Sequence, residues 1–156
     1  MTQIKPATID DWRWIEENAS AIGGSHVVSQ GTLYTLRDYE GFVAIADDQR
    51  LGFAVLREDE LLGIAAPQPG HGVGSLLVEH CESLLLTRDY SSIWLVTTND
   101  NLDAMRFYQR RGFILDGLHK GAFEEVKRIK GISGEVLGNF EIPIRDELVF
   151  RKTLKS

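Results

Sequence analysis

Gly70, Gly72 and Gly74 stand at alternate positions in the stretch Pro69-Gly70-His71-Gly72-Val73-Gly74-Ser75-Leu76-Leu77. They run straight into a segment whose apolar residues, Val73, Leu76, Leu77, Cys81, Leu84 and Leu85, recur at helical spacing, which predicts a helix from Val73 to about Arg88. The first N–H groups of a helix have no partner within it, and the aligned peptide dipoles leave partial positive charge at that end. Glycine ahead of it permits backbone angles other residues avoid and removes side chains that would hold an anion away. The chemistry on offer is therefore the cradling of a phosphate, although the same turn also serves as a plain strand-to-helix connection. Two familiar cradles are excluded. A dinucleotide fingerprint needs glycine where Leu77 stands, and a P-loop needs Gly-Lys followed by Ser or Thr.

The elements that position this turn are legible on both sides. Phe42 to Ala46 and Leu51 to Leu56 are strand-like runs separated by Asp47-Asp48-Gln49-Arg50, and a second reversal at Arg57-Glu58-Asp59-Glu60 leads into Leu61 to Ala66. A three-stranded meander is expected, with Gly63 marking a bulge or a close approach. After the helix, Ser92 to Thr97 reads as a strand covered on both faces. The order strand, helix, strand predicts a right-handed crossover with its glycine turn at the carboxyl end of the first strand, where ligands sit in α/β sheets. Thr97-Thr98-Asn99-Asp100-Asn101 is a polar turn that supplies caps, followed by a helix from Leu102 to Arg111 ended by Gly112, and Phe113 to Leu118 resumes as a strand.

At the N-terminal end, Gln3 to Ala7 predicts a strand and Trp12 to Ile22 a helix capped by Asp10 or Asp11, while Ser25 to Gly41 reads as loop with a short helix. Gly121 to Lys130 has helical propensity, the loop to Pro143 is glycine-rich, and Ile144 to Leu154 closes as a strand. No internal repeat or linker is present, so residues 1–156 are expected to form one α/β domain around a mixed sheet.

Composition narrows the function. A net charge of −6 argues against nucleic-acid or acidic-membrane binding and suits a cationic amine ligand. No apolar run approaches the ~20 residues needed to span a bilayer and the N-terminus does not read as a signal peptide, so a cytoplasmic protein is expected. Cys81 is the single cysteine and lies on the apolar helix face, which predicts a buried structural thiol; no metal site is expected.

Gly70-His71-Gly72-Val73-Gly74 opening a helix, followed by Asn101-Leu102-Asp103-Ala104-Met105-Arg106-Phe107-Tyr108-Gln109-Arg110-Arg111-Gly112-Phe113, resembles the GCN5-related N-acetyltransferase (GNAT) superfamily. The two motifs cover roughly Leu61 to Leu118, and the flanking elements fall in the family's order. The resemblance implies an α/β, GNAT-like single domain, with a mixed central sheet of six to seven strands flanked by helices and a splayed pair of central strands. It also implies transfer of an acetyl group from acetyl-coenzyme A to an amine.

On that reading the backbone of Gly70, His71, Gly72, Val73, Gly74 and Ser75 holds the pyrophosphate, and Ile64, Ala65 and Ala66 offer backbone groups to the pantetheine arm as an added strand would. An N–H near Ala65 or Ala66 is suited to polarising the thioester carbonyl and stabilising the oxyanion. Asn101 and Ala104 match cofactor-side positions, Asn101 being equally suited to capping a helix. Tyr108 matches the tyrosine that protonates the departing thiolate; a phenol of pKa ~10 stays protonated at neutral pH and can pass its proton to a basic thiolate. Among Glu58, Asp59 and Glu60, Glu60 is best placed to take the proton of the amine, directly or through water, though acids in hairpin turns are commonly just solvated.

Pro69 departs from the family pattern, which commonly has Gln or Arg near the start of the glycine motif, and Gly121 to Pro143 lengthens the last connection. The acceptor is a small-molecule or peptide amine, and family analogy suggests a homodimer. The rival reading is a non-catalytic GNAT-fold module that binds coenzyme A or a partner.

Overall fold

In the computed structural model, which describes residues 1–68, 70 and 72–155, strand β1 (Gln3–Pro6) leads into helix α1 (Ile9–Glu17) and a 3-10 turn at Ala19–Ile22. The cap of α1 is Thr8 rather than Asp10 or Asp11. Thr8 Oγ1 accepts the Asp11 N–H at 3.2 Å, and Asp11 Oδ2 accepts the Thr8 N–H at 2.9 Å. Asp11 thus closes a reciprocal capping box, and Arg50 Nε donates to its other oxygen at 2.7 Å.

Residues 25–41, expected as loop with a short helix, hold a 3-10 helix at Leu36–Asp38 but also strands β2 (His26–Ser29) and β3 (Thr32–Thr35), which form a two-stranded sheet. Gln30 and Gly31 at the reversal both have positive φ, 50° and 84°. Left-handed angles at both central residues match the twist of paired strands, but glutamine is an unusual carrier of them, so the turn is concealed in the sequence.

The meander follows as β4 (Glu40–Ala46), β5 (Gln49–Arg57) and β6 (Glu60–Ala65), all antiparallel. Helix α2 (Val73–Thr87), β7 (Ser92–Thr98), helix α3 (Leu102–Arg110), β8 (Ile114–His119), helix α4 (Phe123–Lys130) and β9 (Glu147–Thr153) complete the chain. The seven longer strands lie in one mixed sheet flanked by helices, in the order β1-β4-β5-β6-β7-β9-β8.

The chain divides into two compact units. The first comprises residues 1–27 and 34–93 with the C-terminal residues from Leu154. Strands β4 and β5 are covered on both faces, which is why they read as nearly continuous apolar runs. Val43, Phe53 and Val55 pack with Trp12 and Ile15 of α1, Trp14 meeting Phe53 edge-on at 6.1 Å. On the alternate positions Phe42 meets His80 of α2 at 4.8 Å. Helix α2 buries Val73, Leu77, Val78, Cys81 and Leu85.

Gly63 adjoins a bulge, as expected, and what comes close to it is a side chain, neither another backbone nor a ligand. The β5–β6 register slips between Val55 and Leu56, leaving Leu62 as the extra residue, and a Cβ on Gly63 would overlap Ile22 Cδ1.

The second unit comprises residues 28–33 and 94–153. Strands β8 and β9 pair antiparallel, with Asp116 bulged out between Leu115 and Gly117. Helix α3 is closed by Gly112 in the left-handed region, φ 93°. Helix α4 starts at Phe123 and is likewise ended by a left-handed glycine, Gly131.

Candidate active site

In the first unit, β6 delivers the chain to the glycine turn. Ala65 is buried at the end of the strand, paired across to Phe53, and Ile64 pairs with Ala54. Gly70 and Gly72 then adopt φ of 96° and 68°. A Cβ at either would meet nothing within 4 Å among the described residues beyond its chain neighbours, so glycine is required there by the backbone angle. Gly72 serves as the N-cap residue of α2 without a side chain to close it, and Leu76 N donates to Gly72 O at 3.2 Å in the first intrahelical bond. The amides of Val73, Gly74 and Ser75 precede that bond, and no acidic side chain stands in the first turn to oppose an anion. His71 and Pro69 lie outside the described residues.

Glu60 starts β6 and is 1% exposed. Arg57 donates to its Oε1 from Nε at 3.2 Å and from Nη2 at 2.8 Å. The guanidinium also lies over the ring of Tyr34, 4.5 Å from the centroid, and Tyr34 meets Tyr39 edge-on. Burial works against the charge on Arg57, but the hydrogen bond and charge of Glu60, with Tyr34 and Glu58, outweigh it and hold the guanidinium pKa above its usual value. Of the three acids at this turn, Glu58 is exposed and Glu60 is the buried one. Glu60 and Ala65 stand at opposite ends of β6, about 17 Å apart along an extended strand.

In the second unit, Tyr108 of α3 is 7% exposed and meets Phe107 at 5.2 Å and Phe113 at 5.3 Å, both edge-on. Phe113 N donates to Tyr108 O, tying the start of the following strand to the helix end. Asn101 caps α3, its Oδ1 accepting from Ala104 N at 3.3 Å, and its Nδ2 donates to Thr97 Oγ1 at 3.2 Å.

Two features of this unit escaped the sequence reading. Asn101 alone caps α3, and the side chains of Asn99 and Asp100 hold distant chain: Asp100 is 3% exposed and accepts two hydrogen bonds from Asn139, while Asn99 bonds to the chain at Pro143, Arg145 and Asp146. Glu147, also 3% exposed, accepts the Gln30 N–H at 3.2 Å. The low exposure of both acids depends on partners some forty or more residues away, which local pattern does not reveal.

Cys81 is buried, and desolvation pushes its thiol up to about 12, which excludes it as a nucleophile at neutral pH. Among the described residues no group of three His, Cys, Asp or Glu side chains could hold a metal ion, and no helix is long and apolar enough to cross a membrane.

Comparison with known proteins places this arrangement. The model of the acetyltransferase (GNAT) family matches residues 9–113. The uncharacterized protein YxbD of Bacillus subtilis is 33% identical over 138 residues, covering 85% of this chain and 86% of that protein. Streptothricin acetyltransferase of Streptomyces lavendulae is 30% identical over 96 residues, 56% of this chain and 51% of that one. Among solved structures, a GNAT family acetyltransferase from Elizabethkingia anophelis with acetyl-CoA bound superposes with a TM-score of 0.67 at 16% identity, over 97% of both chains.

Proposed function

The chain belongs to the acetyltransferase (GNAT) family, and from that footing we propose that residues 1–156 work as a single acetyltransferase-like domain moving an acetyl group from acetyl-coenzyme A to a primary amine by direct attack. The observation that carries the proposal is the left-handed turn at Gly70 and Gly72, opening α2 with no acid in its first turn. That turn suits a pyrophosphate: the donors are backbone amides, the helix end is positive, and glycine at 70 and 72 adds no side chain of its own. The family match spans residues of both units.

Acetyl-coenzyme A supplies an acetyl group activated as a thioester. In this proposal the turn from Gly70 to Ser75, including His71, holds the phosphates. Ile64, Ala65 and Ala66 hydrogen-bond the pantetheine arm through their backbone, and an amide near Ala65 or Ala66 polarises the thioester carbonyl. Asn101 and Ala104 stand on the cofactor side. Tyr108 gives its phenolic proton to the sulfur as the carbon–sulfur bond breaks, and the proton the amine loses as its bond to the acetyl carbon forms goes to ordered water or, along a chain of several waters spanning β6, to Glu60.

A small cationic amine is the acceptor best supported, by the net charge of −6 and by the resemblance to a streptothricin acetyltransferase. A peptide amine is the other. Exposed Ile114, Leu115 and Leu118 on the edge strand β8 support self-association as a homodimer, and the one buried thiol accords with a cytoplasmic location.

The pairing of Glu60 with Arg57 favours a second reading, a module that binds coenzyme A without catalysis. Substituting Tyr108→Phe separates the two. The enzyme reading expects turnover to fall about 10²-fold or more, with acetyl-CoA affinity within about twofold of wild type. Equal loss of both would assign Tyr108 to packing, and wild-type protein that binds acetyl-CoA yet acetylates no amine would leave the binding module.

A further inference from the structure

Helix α3 is short and weakly packed: of its nine residues one, Tyr108, is buried, while Leu102, Asp103, Arg106, Gln109 and Arg110 are exposed. A helix of this length does not hold its place by propensity, so its ends must be fixed by other means. Gly112 and the bond from Phe113 N to Tyr108 O fix the carboxyl end. The amino end depends on the turn that leaves β7. There Asn101 N donates to Thr98 O, Leu102 N donates to Asp100 O, and Asn101 Nδ2 donates to Thr97 Oγ1.

The Asp100 carboxylate clamps this turn to residues 136–144, part of the connection between α4 and β9. Its Oδ1 accepts from Thr98 Oγ1 at 2.5 Å, and its Oδ2 accepts the Asn139 backbone N–H at 2.8 Å and the Asn139 side-chain Nδ2 at 2.9 Å. A Cβ on Gly138 would overlap that carboxylate, so the connection approaches it as closely as glycine allows. Residues 136–144 close on themselves without Asp100: Ile144 N donates to Val136 O, Gly138 N donates to Ile142 O, and Leu137 bridges to Pro143. Their Leu137 and Phe140 stay exposed, so the clamp does not serve to bury them. A buried carboxylate is a costly way to gain stability, but three donors around it fix one geometry. That geometry is the start of α3.

We propose that Asp100 is a positioning residue for acetyl transfer: by clamping residues 136–144 to the turn before α3, it sets that helix and with it Tyr108. The inference rests on the acetyl-transfer reading, in which Tyr108 protonates the departing thiolate, and gives the long connection a task in that step. Asp100 touches no reacting atom. Proton transfer needs hydrogen-bond reach, and a misplacement of about 1 Å far from the chemistry can cost about 10²-fold in rate. An asparagine at position 100 keeps the clamp, because its oxygen accepts both Asn139 donors and its amide donates to Thr98 Oγ1. Alanine deletes all three bonds and leaves the Asn139 donors without this acceptor.

The test compares wild type, Asp100→Asn, Asp100→Ala, Tyr108→Phe and the double variant Asp100→Ala with Tyr108→Phe. Free-thiol release is measured at saturating acetyl-CoA and amine, and hydrogen exchange is followed at the Ala104 and Met105 amides, which bond to Asn101. Asp100→Ala should lower kcat about tenfold or more and speed exchange at both amides, while Asp100→Asn keeps kcat within about threefold. In the Tyr108→Phe background Asp100→Ala should change kcat by less than about twofold, because the group it positions is already gone. Losses that multiply in the double variant, or wild-type kcat in Asp100→Ala, overturn the positioning role. Should Asp100→Ala not fold, Asn139→Ala, which deletes one of the three bonds, takes its place in the same cycle; its loss of about threefold should likewise vanish beside Tyr108→Phe, and a loss that persists there overturns the role. Wild-type protein that releases no thiol in response to any amine overturns the acetyl-transfer reading and this inference with it, whereas an active wild type with multiplying losses overturns this inference alone.

Discussion

Arg57 and Glu60 face each other across the β5–β6 reversal, two guanidinium nitrogens donating to one oxygen of a carboxylate that is 1% exposed. Removing one member of a buried ion pair costs far more than the pair contributes, because the remaining charge keeps its desolvation penalty. Arg57→Ala should therefore lower unfolding stability by about 3 kcal/mol in denaturant titrations. Glu60→Gln, which leaves neither a buried carboxylate nor a hole, should cost less. If Glu60 also takes the amine proton, Glu60→Gln will flatten the acidic limb of the kcat/KM pH profile; a profile unchanged in shape would restrict Glu60 to structure.

Gly63 leaves no room for a methyl group against Ile22. Gly63→Ala should destabilise by about 1–3 kcal/mol, the range for overpacking a filled site. Pairing it with Ile22→Ala should recover part of that loss, since the two changes share one contact. Additive losses in the double variant would show that the strand, and not the contact, is responsible.

The capping box of α1 should make stability acid-sensitive. Burial raises the pKa of Asp11, but hydrogen bonds from Thr8 and Arg50 and the charge of Arg50 outweigh it and hold the carboxyl below its ordinary 3.8. A carboxylate lowered on folding contributes stability that is fully present above its unfolded pKa and is lost as pH falls through the folded one. Wild type should thus lose stability on acidification below about pH 4 more steeply than Asp11→Asn. At neutral pH, Thr8→Ala should cost about 1 kcal/mol, as for loss of an N-cap hydroxyl.

Cys81 should be silent to thiol reagents. With its pKa pushed up to about 12 by burial, almost no thiolate is present at pH 8 and the sulfur is out of reach. Iodoacetamide should leave the native protein's mass unchanged and add one label after denaturation. Full labelling in native buffer would contradict the packing of α2 on the sheet.

What the sequence reveals tracks how local its physics is. The glycines at 70 and 72, the start of α2 at Val73, the Asn101 cap and the Gly112 stop are each decided within a few residues, and each appears in the structure where the sequence places it. The alternation that buries Phe42 toward α2 and Val43 toward α1 is equally local, which makes the meander legible. Thr8 is overlooked because two aspartates beside it are equally good caps by type. The β2–β3 pairing is hidden because Gln30, and not Asn or Asp, carries the positive φ. The Asp100–Asn139 clamp and the burial of Glu147 are set by contacts between distant parts of the chain, and nothing in their neighbourhoods announces them.

Amine-dependent acetyl transfer is measured most directly as free-thiol release from acetyl-CoA by the purified protein across a panel of primary amines, with product mass determined for each. Release should saturate with at least one cationic amine, with a matching gain of one acetyl group on that amine. Thiol release that is the same with and without amine, or none despite acetyl-CoA binding, would contradict acetyl transfer to an amine.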